Sequence, residues 1–295
     1  MNAQNSEFSI VIPTYNRPQR LAQCLQSIAQ LDYPRDRFEV IVVDDGSKTP
    51  LDEVVAPLQN QIQLKLLRQA NAGPAAARNR GAKAARGKFL AFTDDDCQPL
   101  PNWLSQFAAS LAITPEAMIG GRTINALGDN PFSTASQELI DYLYEYYNPA
   151  KGKKAFFASN NIAMPKSGFE SLGGFDVSFP LAAAEDRDFC DRWEQKYPMV
   201  YEPQAQINHY HYLSLHSFWR QHFGYGRGAF CFHQLRAQRE AKPLEVEPLS
   251  FYFDLLAYPF SQEAKHPKLF ISSLFFLSQV ANVSGFFWER FMAKE

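Results

Sequence analysis

A chain of 295 residues is long enough for one large domain or two ordinary ones, and its 46% hydrophobic, 20% charged make-up is that of a folded protein. Lys+Arg 29 against Asp+Glu 31 leaves a formal charge of −2, so no global basic field advertises nucleic-acid binding. The four cysteines include no C-x-x-C pair, which argues against a disulfide framework and a Cys-ligated zinc and fits a reducing compartment. Met1 to Glu7 lacks the basic-then-apolar design of a secretory signal, so the cytoplasm is the expected compartment.

Phe8 to Pro13 reads as a first strand, followed by the polar loop Thr14-Tyr-Asn-Arg17. Pro18 suits the first position of a helix, and Gln19 to Leu31 carries Leu21, Leu25 and Ile28 at helical spacing. Phe38 to Val43 is a second apolar, β-branched run that stops at Asp44-Asp45-Gly46-Ser47. A weak helix (Leu51 to Leu58) and a third strand (Gln63 to Leu67) come next. Asn71-Ala-Gly-Pro74 then opens an Ala-rich helix that runs through Arg86 and is closed by Gly87. Phe89 to Phe92 is the fourth strand and ends at Thr93 and three consecutive acids, Asp94, Asp95 and Asp96. Strands alternating with helices in this way predict a parallel, doubly wound α/β sheet.

Further on, the pattern predicts a helix over Asn102 to Ile113, a strand over Ala117 to Thr123 and a helix over Pro131 to Tyr147. Phe156 to Met164 alternates as a strand, and Ala182-Ala-Ala-Glu185-Asp186-Arg-Asp188 begins a helix that reaches Lys196. Met199 to Asn208 is strand-like and leads to His209-Tyr-His211. Ser214 to Arg239 reads as one long helix with candidate kinks at Gly224, Gly226 and Gly228, and Glu240 to Glu247 as a linker.

In doubly wound sheets, ligands bind beyond the carboxyl ends of the strands. Strand one ends at Thr14-Tyr15-Asn16, strand two at Asp44-Asp45 and strand four at Asp94-Asp95-Asp96, so three polar, mostly acidic clusters are expected on one edge. Three adjacent carboxylates repel one another and need a counter-charge, and a divalent cation is the simplest. Two phosphate devices are excluded. No G-x-G-x-x-G follows the first strand, and Gly81 to Gly87 has five residues between its glycines where a P-loop has four.

Val11-Ile-Pro-Thr-Tyr-Asn-Arg17, Val42-Val-Asp-Asp-Gly-Ser47, Asn71-x-Gly-Pro-Ala-Ala-Ala-Arg-Asn79-x-Gly81 and Phe92-Thr-Asp-Asp-Asp96, in this order and spacing, resemble the family 2 glycosyltransferases of GT-A fold. Asn160-Asn161, Gly173-Gly-Phe-Asp176, Glu185-Asp186 and His209 are similar to that family's later landmarks. The resemblance covers roughly residues 8 to 230 and implies a mixed, doubly wound sheet, with a catalytic domain over 1–235 (nucleotide half 1–125, acceptor half 126–235). Residues 240 to 295 fall outside it, and there the composition itself gives a linker and a C-terminal aromatic helical extension, 236–295 in all.

The activity implied is an inverting transfer of a sugar from a nucleotide diphosphate, with a UDP-sugar as the default donor, to a hydroxyl of a saccharide, a lipid-linked or another acceptor. Cell-surface polysaccharide or glycolipid synthesis is the expected setting. By resemblance Thr14 and Asn16 line the base, Asp44 accepts from a base N–H, and Asp94 takes ribose hydroxyls. Arg78 steadies the diphosphate or is a structural arginine. Asp96 is the principal ligand for Mn²⁺ or Mg²⁺, with Asp95 as helper and His209 as the late histidine, and His211 competes for that role. Asp186 is the base that takes the acceptor's proton, with Glu185 positioning it or reaching the acceptor. Asp45 supports the loop.

Two other classes are considered. A nucleotidyltransferase would need a Gly-rich, Lys- or Arg-bearing loop after strand one, and Thr14 to Pro18 is not that. A non-catalytic nucleotide-sugar-binding relative would be expected to have lost Asp94, Asp96 or Asp186, and all are present. In the tail, the spacing over Leu269 to Phe287 predicts an amphipathic helix, with Ser278, Asn282, Gly285 and Glu289 on one face and Phe276, Val280, Val283, Phe287 and Phe291 on others. Segment 267–291 has three options: packing on the catalytic domain, joining a partner, or lying on the inner face of the cell membrane.

Overall fold

The computed structural model describes residues 6–148, 155–179, 183–240, 247–263 and 265–293. In chain order the elements are β1 (Phe8–Thr14), α1 (Pro18–Ile28), β2 (Phe38–Asp44), α2 (Asp52–Val55) with a 3-10 turn, β3 (Leu64–Arg68), α3 (Pro74–Ala84), β4 (Phe89–Thr93), β5 (Cys97–Pro99) and α4 (Trp103–Ile113). There follow β6 (Met118–Asn125), α5 (Pro131–Tyr147), β7 (Asn161–Pro165), α6 (Lys166–Ser171), α7 (Glu185–Glu194), β8 (Met199–His209), α8 (Leu215–Glu240), α9 (Leu249–Ser261) and α10 (Lys268–Met292).

The chain forms two compact units, each discontinuous in sequence. The first comprises Met1–Ile124, Phe157–Val177 and Phe189–Tyr210, and the second Asn125–Phe156, Ser178–Asp188 and His211–Glu295. The expected boundary at residue 235 falls inside α8, and most of the expected linker, 241–246, lies outside the described residues.

The first unit is built on an eight-stranded sheet of order β3-β2-β1-β4-β7-β6-β8-β5. β1 is parallel to β2 and β4, and β2 to β3, whereas β7 runs antiparallel to β4 and β6, and β5 antiparallel to β8. The purely parallel expectation thus holds for the first four strands, and the whole sheet is mixed, as the family resemblance implies. β1, β2 and β4 are buried on both faces, which explains their unbroken apolar runs. Phe8, Ile10 and Ile12 of β1 share a core with Leu21, Leu25 and Ile28 of α1 and Trp103 and Phe107 of α4. Val11, of opposite parity, meets α3 at Gly81, where a Cβ would overlap the Val11 side chain.

Two elements differ from the expected string. The strand predicted over Phe156 to Met164 forms only from Asn161, because the Asn161 N–H closes a turn onto Ala158 O at 3.2 Å. The glycines of α8 do not mark a break in the assigned helix, which is continuous. Gly226 and Gly228 are points of close approach instead, where a Cβ would meet Asn282 O and Ala183 O.

Asn161 ties the antiparallel half of the sheet together. Its Oδ1 accepts from Trp103 Nε1 at 2.8 Å, and its Nδ2 donates to Arg122 O at 3.0 Å and Ala205 O at 3.1 Å, with Asn161 itself fully buried. Replacing it with alanine strands an indole N–H and two carbonyls, so Asn161→Ala should cost the first unit roughly 3 kcal/mol, read as a lower urea midpoint.

In the second unit, α5, α8, α9 and α10 share an aromatic-rich core that includes Leu139, Tyr142, Phe218, Phe251, Leu255, Ile271 and Phe275. His222 of α8 lies against Phe218 (centroids 4.3 Å apart) and edge-on to Tyr225, with no hydrogen-bond partner for Nε2 among the described residues. Burial, helped by the nearby His211, pulls the His222 imidazolium down to about 3. The folded chain therefore binds this proton less readily than the unfolded one. Its contribution to stability is complete above about pH 6.5 and is lost as pH falls toward 3, at up to about 1.4 kcal/mol per pH unit. Thermal unfolding between pH 7 and 5 should show this slope, and His222→Leu should flatten it.

Candidate active site at the strand ends

The carboxyl ends of β1, β2 and β4 lie side by side, since Thr14 is registered with Asp44 and Val11 with Phe92. The loop after β1 turns sharply at Asn16, in the left-handed region (φ 56°), where its N–H donates to Ser47 Oγ and its Oδ1 accepts from Lys48 N, both at 2.8 Å. Asn16, Pro18, Ser47, Lys48, Thr49 and Leu51 line a cavity of about 340 Å³. Of the nucleotide candidates only Asn16 is among these lining residues.

Thr14 and Asp44 are buried instead. Asp44 Oδ1 accepts from Ser47 N at 2.8 Å, and its Oδ2 lies 3.5 Å from Arg68 Nε. Asp45 organises the neighbouring loop: its carboxylate accepts from Gln69 Nε2 (2.7 Å), Asn71 Nδ2 (3.2 Å), Ala72 N (2.9 Å) and Gly73 N (2.9 Å). It thereby fixes the entry to α3, in keeping with the supporting role expected for it.

The three acids after β4 go three ways. Asp94 Oδ1 pairs with Arg78 Nη2 at 2.6 Å, and the buried guanidinium of Arg78 lies 5.8 Å from the Phe175 ring centroid. Asp95 Oδ2 accepts from Thr14 Oγ1 at 2.7 Å and its Oδ1 from Arg17 at 3.1 Å. Burial pushes the Asp95 carboxyl up to about 6, although Arg17 pulls the other way. Asp96 Oδ2 is bonded by Arg17 (3.2 Å) and Arg20 (3.0 Å), while its Oδ1 faces His209 Nε2 at 3.4 Å.

Sequence reasoning missed Arg17 and Arg20. Both were legible as the residue before Pro18 and a residue one turn later, on a helix that begins where strand one ends. These guanidiniums supply counter-charge to the run of acids, for which a divalent cation was the simplest expectation.

His209 is brought to Asp96 by pairing of β8 with β5, where Cys97 is registered with His209. The Tyr210 N–H bonds Asp96 O at 2.9 Å, which fixes the chain one residue before His211. Asp96, His209 and His211 each offer a ligand atom, all within 4.8 Å of one another. One carboxylate oxygen and two imidazole nitrogens form a donor set that suits a divalent transition ion such as Mn²⁺ better than the all-oxygen preference of Mg²⁺. Asp95, the expected helper, is directed instead at Thr14 and Arg17, and His211 Nε2 lies 2.6 Å from Gln221 Oε1.

Glu185 and Asp186 belong to the second unit, in the first turn of α7 with Asp188. Asp188 is fully buried and paired with Arg239 at 2.5 Å, whereas Glu185 is buried and Asp186 half-buried. Asp186 Oδ1 accepts from Arg187 N at 2.8 Å. Ala184, just before the helix, has φ 71°, a costly conformation for alanine, and α8 presses on the adjacent Ala183 through Gly228.

A parallel half with acids at its strand ends, extended by antiparallel strands, places the chain in the GT-A class of folds. Solved structures share the fold. A mannosyltransferase, PcManGT from Pyrobaculum calidifontis, in complex with GDP-Man and Mn²⁺, matches 95% of this chain and 87% of its own with a TM-score of 0.65 at 18% identity. Staphylococcus aureus TarS 1–349 in complex with UDP-GlcNAc matches 95% of this chain and 89% of its own with a TM-score of 0.57 at 17% identity.

The model of glycosyl transferase family 2 matches residues 9–173, and the chain belongs to that family. Among curated relatives, glycosyltransferase AglE of Haloferax volcanii is 32% identical over 116 residues, 38% of either chain. Chondroitin synthase of Escherichia coli is 29% identical over 214 residues, 61% of this chain and 31% of that one. The chain thus spans about a third of the length of these two relatives.

Asp45→Ala should release the loop at 69–73. Amide hydrogen exchange at Ala72 and Gly73 should quicken, by on the order of tenfold or more for each lost charge-assisted bond.

Proposed function

We propose that this chain transfers a sugar, with inversion, from a nucleoside diphosphate donor to an acceptor hydroxyl in the synthesis of a cell-surface polysaccharide or other glycoconjugate. The observation that carries the reading is the meeting of Asp96 with His209 where parallel strands end, in the unit that also holds the Asn16 and Ser47 cavity. The PcManGT complex with GDP-Man and Mn²⁺ and the TarS complex with UDP-GlcNAc support a nucleotide-sugar donor. A UDP-sugar is the first donor class to try.

In this mechanism Asn16 lines the base pocket, while Thr14 and Asp44, buried behind it, hold the Asp95 and Ser47 loops that shape that pocket. Asp94, held by Arg78, takes the ribose hydroxyls. Asp96 and His209, with His211 as the further candidate, would hold a divalent cation, Mn²⁺ by the nature of the donors, while Asp95 and Arg17 fix the loop that carries Asp96. When bound, the cation offsets the negative charge of the departing diphosphate. The acceptor oxygen attacks the anomeric carbon from the side opposite the leaving group. Asp186 takes the proton that the acceptor loses, and Glu185 positions Asp186.

The test is hydrolysis and transfer from a panel of nucleotide-sugars, with Mn²⁺ or with EDTA. We expect turnover with Mn²⁺ and its loss in EDTA, and a drop on the order of a hundredfold or more for Asp96→Asn. Asp186→Asn should lower transfer by about a thousandfold while titration of the nucleoside diphosphate stays unchanged. Full turnover in EDTA would remove the role of Asp96, and undiminished transfer by Asp186→Asn would remove the base.

A further inference from the structure

α10 is amphipathic the wrong way round for a helix whose purpose is to complete a core. Its buried side is Ile271, Leu274 and Phe275 in the first turns and then only Ser278, Ala281 and Gly285. Its exposed side is Leu269 (75%), Phe276 (60%), Val283 (53%), Phe287 (56%) and Phe291 (63%), a ridge completed by Val280. At 1.5 Å per residue this ridge is about 33 Å long. A core-directed helix buries the large apolar residues and exposes the polar ones, whereas here the small and polar residues face α8. Gly226 meets Asn282 and Gly285 meets Phe223 so closely that a methyl group at either would overlap a carbonyl, and Glu289 is paired inward with Arg227 at 2.5 Å. Close backbone approach, small residues and inward polar pairs are what helices use when the surrounding medium is hydrocarbon.

Other details agree. The two serines in or beside the exposed ridge turn their hydroxyls back on the helix, Ser273 Oγ to Phe270 O and Ser284 Oγ to Val280 O, both at 2.7 Å. α9, bonded to α10 through Ser272 Oγ and Leu256 O, exposes Leu249, Phe253 and Phe260 as well. Trp288, half-exposed near the end of α10, has the amphipathic ring enriched at lipid–water boundaries.

We propose that α10 seats the protein on an anionic membrane surface, lying in the interface with its Leu269–Phe291 ridge in the acyl region. By length and composition α10 would also serve as a membrane-crossing helix, with mean hydropathy 1.5 over its most apolar stretch. It is instead fastened to α8, which carries Arg220, Arg227, Arg236 and Arg239 and could not follow it through hydrocarbon. A second copy of the chain is the poorer occupant on grounds of charge. The exposed charges of α10 are Lys268 and Arg290, at its two ends, and its only acid is Glu289, which is turned inward. Pairing two ridges in parallel sets Lys268 against Lys268, and pairing them antiparallel sets Lys268 against Arg290. Anionic headgroups accept both cations.

The experiment is flotation of the full chain with vesicles of phosphatidylcholine alone or of phosphatidylcholine with phosphatidylglycerol. The wild type should float with the anionic vesicles, and its tryptophan emission should shift to the blue as Trp288 leaves water. Phe276→Asp with Phe287→Asp should weaken vesicle binding on the order of a hundredfold while the thermal midpoint is kept. Lys268→Glu with Arg290→Glu, which leaves the ridge intact, should weaken binding to the anionic vesicles alone. A wild type that stays at the bottom with both vesicle types overturns the proposal. So does a lipid-independent dimer in light scattering that the aspartate variant converts to a monomer, or flotation that neither pair of substitutions changes. Loss of sugar transfer has no bearing on these outcomes.

Discussion

The site in the first unit depends on how three neighbouring carboxylates coexist at the end of β4. Each alone would resist burial, and together they repel. The chain solves this by setting the start of α1 against them. Arg17 reaches both Asp95 and Asp96, Arg20 reaches Asp96, Thr14 holds Asp95, and Arg78 on α3 holds Asp94. With one oxygen of Asp96 held by arginines, the other is presented to His209. The direction of Asp96, the acid expected as principal ligand of a cation, is therefore set by the other elements packed round it.

The same logic divides the labour between the acids after β2. Asp44 and Asp45 are adjacent and alike in sequence, yet Asp45 is consumed by the loop that opens α3, while Asp44 lies beside Ser47 and Arg68. A loop that must satisfy backbone N–H groups at a helix entrance needs a local acceptor, and an aspartate in the right turn provides it. The left-handed Asn16 is held in a similar way, between Ser47 and Lys48.

The second unit poses the opposite problem, an excess of apolar surface. Its aromatic residues fill a core between α5, α8, α9 and α10 and still leave a ridge on α10 uncovered. Beyond its first turns, where Ile271, Leu274 and Phe275 join that core, α10 packs through its Ser278, Asn282, Gly285 and Glu289 face, where glycine lets two backbones approach. Shape rather than hydrophobicity decides that contact.

Alternating apolar runs and helical spacings sufficed to predict the parallel half of the sheet, because β1, β2 and β4 are buried on both faces and their composition shows it. The order of motifs likewise pointed to Asp96 and His209, which the structure brings together. Periodicity did not reveal β5, three residues long, or the late start of β7, since both depend on which neighbour offers hydrogen bonds. Nor did it reveal Arg17 and Arg20 as partners of the acids, the turning of Asp95 toward Thr14, or the meeting of His209 and Asp96. Those contacts join residues 76 to 81 positions apart or lie across a β5–β8 ladder more than a hundred residues long in sequence. Local sequence determines which segments are strands, helices and polar ends, because burial and dihedral preference act over a few residues. Which charge meets which, and which face of a helix is covered, is decided only when distant segments are packed against each other.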